Sequence, residues 1–345
     1  MIMIEGWLLD VHENEVGTGM LAWVVDDAGK AHACPVPWYP SLHVHASVDE
    51  LDRLEHWLEQ PEIILRFGLL NVRTTRARLD LEMRHHSEVL EVSLRSFRNL
   101  RGLAEHIEAR GDFHRFKLYS VDAHLAQRFL NDHGCVPFGR VRWSPDKPER
   151  FEPVVGVEPR ETYPAFRVVK LEVESMQDHG FPDLNDTVAC FRLSTVLEPG
   201  FEAPNVRPSI IIEREHYASM KAMLSAFQSA INGLDPDIVL SVGGDRRWFP
   251  WLVEQSRVHQ QPLFLGRTED NLEQTTHQRT VHSYGQTRHR HGAFFLKGRL
   301  HFDVRNSFIV NEGGLAGLFE LAQHSRQSAQ VISRLSPGSV ISAIQ

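Results

Sequence analysis

DPDIVLSVGGDRRWFPWL, residues 235–252, changes character twice within eighteen positions. Ile238–Val242 is a short, mostly apolar stretch interrupted only by Ser241, the pattern of a strand buried on both faces rather than one alternating between core and solvent. Gly243-Gly244 punctuates it, and from about Phe249 the sequence becomes helical. A buried strand leading through a glycine turn into a helix is α/β material, and it sets the terms for what flanks it.

Upstream lies a helical stretch of about Arg214–Ile231, and before it a β-rich run: Phe166–Glu174, Thr187–Leu193 and Ser209–Ile212. Downstream come a strand at Gly298–Val304 and helical sequence from about Leu315 to the end. Three strands followed by alternating helix and strand is the element order of a ribonuclease H-like fold, a sheet with helices packed on it. Residues 266–292, rich in Thr, Gln, Arg and His, read as a long exposed loop within it.

The first 150 residues read as a mixed α+β domain. Residues 6–46 alternate apolar stretches with turn signals, as β-hairpins do. Ser47 and Glu50 form a capping-box pattern, and Leu51, Leu54, Trp57 and Leu58 share one face of the helix it starts. Glu62–Leu69 and Val89–Leu94 look like strands, and Asn99–Arg110 a helix stopped by Gly111. Phe116–Ser120 and a helix running from an Asp122 cap to Gly134 complete the set. Between Trp143 and Pro164 prolines recur densely enough to predict an extended connector, so the expected division is 1–150 and 151–345.

Bulk composition agrees with two cores: 345 residues, 42% hydrophobic and 24% charged. A net charge of −8 excludes a chain that coats nucleic acid by bulk attraction, so any such contact must come from local basic patches. Cys34, Cys135 and Cys190 are odd in number and far apart, which predicts neither a disulfide framework nor a thiolate zinc site, and a reduced cytoplasmic setting is expected. No apolar run approaches a membrane span, and the acidic start lacks the basic region of a signal peptide.

Several segments resemble the archaeal and bacterial family B DNA polymerases, in order and over nearly the whole chain. LYSVDAHLAQRFLNDHGCVPFG (118–139) resembles the close of their N-terminal domain, and PAFRVVKLEVES (164–175) their first 3′→5′ exonuclease motif. DPDIVLSVGGDRRWFPWL resembles their second exonuclease region, and KGRLHFDVRNSF (297–308) a strand that follows it. FELAQHSRQSAQVISRLSPGSVISAIQ (319–345) looks like the passage joining the exonuclease domain to the palm. The resemblance implies an N-terminal domain plus an exonuclease-type domain, in a sequence that stops before the palm, fingers and thumb. A split gene product, a degenerate relative and a piece of a longer polymerase all fit that pattern.

The family implies Mg²⁺ or Mn²⁺ as cofactor, held by an Asp and a Glu of the first motif, an Asp of the second, and an Asp with a nearby Tyr of the third. Glu172 and Glu174 stand at the first pair, two apart and so on one face of a strand, with Glu in place of the usual Asp. Trp248 falls at the second-motif Asp and Gly243 at its Asn. Val310 and Gly314 take the places of the third-motif Tyr and Asp. Asp245 and Glu312 are the nearest carboxylates that would rescue the site. The expectation is an exonuclease-like domain with no catalytic set, retaining Glu172 and Glu174 as residual metal ligands and acting as a scaffold in DNA replication or repair. The alternative is an active metal-dependent exonuclease.

Arg246, Arg247 and Phe249 are the candidate contacts for single-stranded or primer-template DNA, combining backbone charge with base stacking. Arg73, Arg76 and Arg78, and Arg95, Arg98 and Arg101, are further basic clusters. The expected protein partner is a palm-containing polymerase subunit or segment, with the apolar tail 333–345 as docking edge. Arg288-His289-Arg290-His291, with His282, reads as a polar loop rather than a zinc site. No G-x-S-x-G elbow and no phosphate-binding glycine loop is present.

Overall fold

The computed structural model describes residues 3–80, 84–156, 166–176, 187–196, 209–276, 279–283, 286–290, 292–336 and 338–340. In the first half the strands are β1 (Ile4–Glu13), β2 (Gly19–Val25), β3 (Ala31–Pro37) and β4 (Ser41–His45), then the helices α1 (Val48–Leu58) and α2 (Pro61–Phe67). β5 (Leu69–Ala77), β6 (Ser87–Leu94), α3 (Leu100–Arg110), β7 (Lys117–Tyr119), α4 (Leu125–His133), β8 (Arg140–Ser144) and β9 (Lys147–Pro153) follow. One antiparallel sheet has the order β3-β2-β1-β8-β9, and its outer strands curl toward each other. The other, β5-β6-β4-β7, carries α1, α2 and α3 on one face.

Local chemistry accounts for most of these elements. The Ser47/Glu50 capping box is formed, and Leu51, Leu54, Trp57 and Leu58 are the buried stripe of α1. Residues 62–69 are not a strand as expected. Pro61 sits in the first helical turn and Gly68, at φ 66°, ends the helix, burying Ile63 and Phe67 four apart. The strand begins only at Leu69. The described part of the proline-rich stretch is also not a connector: β8 and β9 pair as a hairpin, and the prolines of β9 are tolerated because it is an edge strand, while 157–164 lies outside the described residues. The expected division at 150 therefore falls inside β9.

The second half contains β10 (Val168–Ser175), β11 (Val188–Thr195), β12 (Ile210–Glu213), α5 (Met220–Leu234), β13 (Ile238–Ser241) and α6 (Phe249–Val258). β14 (Arg279–Ser283), β15 (Gln286–Arg290), β16 (Leu300–Asp303), α7 (Phe308–Ser325) and α8 (Ala329–Ile332) complete it. The sheet order is β12-β11-β10-β13-β16, with β10, β13 and β16 parallel and the first three strands antiparallel. This is the ribonuclease H-like arrangement that the element order implied. The expected loop at 266–292 contains the hairpin β14–β15.

Helices cover both faces of this sheet. On one side Phe191 stacks on Phe227 at 4.5 Å, with Phe249, Trp251 and Leu252 of α6 beside them. On the other, Phe319 of α7 stacks on Phe138 at 3.8 Å, and the same cluster takes in Trp7, Leu9 and Trp23 of the first sheet. The two halves thus share a core. At the amino ends of the parallel strands Arg267 reaches Asp237 at 2.6 Å, and Arg299 donates to the carbonyls of Leu265 (2.7 Å) and Gly266 (2.9 Å). Gly298, just before it, has φ +76°, and a Cβ there would lie 2.8 Å from the Trp23 ring.

Gly298→Ala combines left-handed backbone strain with this clash, so it is expected to destabilise the chain by about 2 kcal/mol or more in chemical denaturation. Gly29→Ala, with a similar φ of +77° and nothing within 4 Å, should lose no more than the backbone part of that effect.

Candidate functional site

Ligand sites of open α/β sheets form at the carboxyl ends of the parallel strands. Here Leu171, Ser241 and Asp303 stand in one row across β10, β13 and β16, so Glu172, Gly243 and Arg305 all emerge at the same end. Glu172 and Glu174 share a strand face, as their spacing predicted, while Leu171 and Val173 turn to the core. Each meets a cation: Lys170 Nζ lies 2.7 Å from Glu172 and Arg192 donates to Glu174 at 3.2 Å.

Asp303 organises the turns beyond the sheet. Its carboxylate accepts the backbone N–H groups of Gly243 (2.8 Å), Asp245 (2.9 Å) and Arg305 (3.0 Å). Burial, reinforced by the charge of Asp245, raises its affinity for a proton. The role is structural: it fixes the path of Gly243 and of the single π-helical turn Gly244–Trp248.

Asp245, the nearest rescue for the second motif, is committed elsewhere. Arg334 grips it with Nε at 2.9 Å and Nη2 at 3.2 Å, while Asn306 Nδ2 (2.8 Å) and the Phe294 N–H (3.0 Å) take further lone pairs. Both oxygens are satisfied in the interior. Burial works against its charge, but Arg334 and the surrounding donors outweigh burial and hold the carboxyl below its ordinary range. His301 lies 3.7 Å away with its pKa pushed down to about 4, chiefly by burial, so the ring is neutral and no ion pair forms. Its Nδ1 lies 2.7 Å from the Phe294 carbonyl and 3.0 Å from Arg334 Nη2, and its Nε2 lies 2.7 Å from the Ser241 hydroxyl.

Trp248 is buried against the core of α6, with Arg247 over its ring at 4.4 Å. Arg246 is exposed. Phe249 is not available to a base, as its sequence position had suggested: it is fully buried and stacked on His301 at 4.3 Å. On α7, Gly314 adopts φ 62°, ψ −165° and breaks the helix between Val310 and the core-facing Leu315, while Glu312 faces solvent. Of the basic clusters, Arg73 pairs with Glu91 (2.7 Å), Arg101 with Glu105 (3.0 Å), and Arg98 bonds the Glu15 carbonyl. The side chains of 282 and 288–291 lie outside the described residues. All three cysteines are free and buried.

A two-metal nuclease needs several carboxylates converging on cations roughly 3.5–4 Å apart. The residues present do not fit it. Glu172 is paired with lysine and Asp245 with arginine. Among the described residues, only Glu213, Glu215 and His216 bring three such ligand atoms within 4.8 Å of one another, and they lie at the end of β12 and in the turn that follows it. Arg334 and Gln330, on which the interior of this site depends, carried no sequence signal, since their partners are scattered far along the chain.

Asp245→Ala would leave Arg334 buried without its anion, so a loss of about 3–5 kcal/mol in chemical denaturation is expected, smaller when Arg334→Met accompanies it. His301 binds its proton more weakly folded than unfolded. Its contribution is therefore present above the ordinary value of 6.5 and is lost as pH falls toward about 4. His301→Gln should flatten the fall in unfolding midpoint across that window.

No family model matches the chain, and no curated protein does. Among solved structures it is similar to the family B DNA polymerase from the hyperthermophilic archaeon Pyrobaculum calidifontis, with a TM-score of 0.74 and 18% identity. The match covers 99% of this chain and 50% of that one, so the chain spans about half the length of that polymerase. No helix among the described residues is long and apolar enough to cross a membrane. The chain has the fold of the N-terminal and exonuclease portion of a family B DNA polymerase.

Proposed function

We propose that the chain holds DNA without cutting it, as the N-terminal and exonuclease-like scaffold of a family B polymerase assembly in replication or repair. The observation that carries this reading is the charge balance at the strand ends. Glu172, Glu174 and Asp245, the acids nearest the family's metal positions, each face a cation at 2.7–3.2 Å. Trp248 and Gly314 offer no oxygen donor. With the acids neutralised, no Mg²⁺ or Mn²⁺ is gathered to generate hydroxide, and the exposed Arg246 adds positive potential beside the cleft.

The similarity to half of a family B polymerase supports a partner that supplies the other half: a polypeptide or segment bearing the palm, where nucleotide addition would take place. A cytoplasmic setting fits this role and the three reduced, buried thiols.

Titration of Mg²⁺ and Mn²⁺ into purified chain with a 3′-labelled single strand, read for binding and length together, is expected to give binding with no shortening. Metal-dependent shortening that disappears in Glu172→Gln would overturn the proposal in favour of an active 3′→5′ exonuclease.

A further inference from the structure

A β-bulge between Leu8 and Asp10 shifts the pairing of β1 with β2, and bulges re-aim the side chains they carry. The Asp10 carboxyl is buried in the seam between β1, α4 and the start of α8, against a cavity of about 10 Å³ that Ala126, Leu130, Pro137 and Ser328 also line. That volume has room for at most one water. Gln330 Nε2 donates to Oδ2 at 3.0 Å, whereas Oδ1 has no hydrogen-bond partner. The Ser328 side chain and the Val11 N–H lie near the carboxyl without reaching Oδ1 in bonding geometry.

Gln330 has no second donor to give. Its Oε1 accepts from the N–H groups of Leu296 (2.9 Å) and His301 (3.0 Å), and its other amide hydrogen goes to the Leu296 carbonyl at 3.0 Å. Of the side chains around the carboxyl, His12 on β1 titrates, and Trp23 Nε1 donates to its Nε2 at 3.0 Å, which suits the uncharged ring. α4 contributes Ala126 and Leu130, the turn after it Pro137, and the C-terminal segment Ser328 and Gln330, none of which titrates. An ionised Asp10 would therefore be a charge sealed inside the fold with one fixed donor. Burial accordingly raises its affinity for a proton above the ordinary value of 3.8, against the smaller opposing pull of Ser328, His12, Gln330 and the Val11 N–H.

Three hydrogen bonds draw the end of the chain onto the first half: Gln127 to the Ser325 carbonyl (2.8 Å), Arg326 to Asn131 (2.8 Å) and Gln330 to Asp10 (3.0 Å). Of these six groups only Asp10 gains or loses a charge near ordinary pH. We infer that Asp10 is a proton-operated latch: with its proton it holds the segment 326–336 against β1 and α4, and without it that segment lifts so that water reaches the carboxylate. Lifting uncovers Ala329 and Ile332, which are buried in the core shared by the two halves. The latch does not depend on DNA binding. Its sign follows from the docked state binding the proton more tightly than the open one: docking is strongest near 3.8 and below, and weakens as pH rises toward the docked-state value.

Amide hydrogen exchange of residues 329–335 in the full chain, followed from about pH 4 to 9 and corrected for intrinsic exchange, tests the latch. The quantity read is the protection of wild type divided by that of Asp10→Asn, which is neutral at every pH and cancels the titration of His301 and Asp303. The ratio is expected to fall as pH rises, by at most about tenfold per pH unit, the limit for one proton, and then to level off. Should Asp10→Asn not fold, Asp10→Thr, neutral and suited to a strand, takes its place. His12→Gln in both backgrounds should leave the trend unchanged. A ratio that is flat or rises with pH, or a trend that disappears with His12→Gln, would overturn the latch.

Discussion

The Asp245–Arg334 pair is the contact on which the arrangement of the second half turns. Asp245 sits on the turn after β13 and Arg334 two residues past α8, so their bidentate bond ties the carboxyl end of the central strand to the last helical segment. Two charges removed from water bring little net stability when paired, but each is costly alone, so the pair acts as a registration device. Once it forms, the neutral His301, Asn306 and the Phe294 N–H have one way to be satisfied. Gln330, one turn earlier, repeats the logic: it accepts from the Leu296 and His301 N–H groups and donates to Asp10 of β1 at 3.0 Å. Burial leaves Asp10 inclined to keep its proton, outweighing the donors Ser328, Gln330 and the Val11 N–H.

This network also balances charge at the carboxyl ends of the parallel strands, where acids crowd. In such a site unneutralised acids repel each other and destabilise the protein until metals arrive. Here the three remaining acids nearest the cleft have protein cations instead, so the fold does not depend on an ion to relieve repulsion. Asp303 has taken the separate task of holding three backbone amides.

Much of the fold was legible because it was local. The mostly apolar stretch Ile238–Val242, the Ser47/Glu50 box and the Gly111 and Gly134 stops are signals a few residues long, and each lies at or next to the element it predicted. Ile63-Ile64-Leu65 misled because its β-branched content outweighed Pro61 and Gly68, whereas in the chain the caps decided. The prolines between Trp143 and Pro164 suggested a connector, and those of β9 misled because edge-strand position is set by neighbours far along the chain. The site divided along the same line. The pairing of Glu172 with Glu174 on one face follows from strand periodicity. The burial of Phe249 and the capture of Asp245 by Arg334, 89 residues away, are decided by tertiary contacts that no short window contains.

The shared core has a consequence for how the chain is made. The face of β1 and β2 that bears Trp7, Leu9 and Trp23 is covered by α7 and α8, and Asp10 finds its donor 320 residues later. A ribosome adding about 5–20 residues per second reaches that donor on the order of tens of seconds after the first strand has emerged. Through that interval the opening sheet has two tryptophans and no partner for them, so the nascent chain presents a sticky apolar surface to chaperones until its final helices arrive.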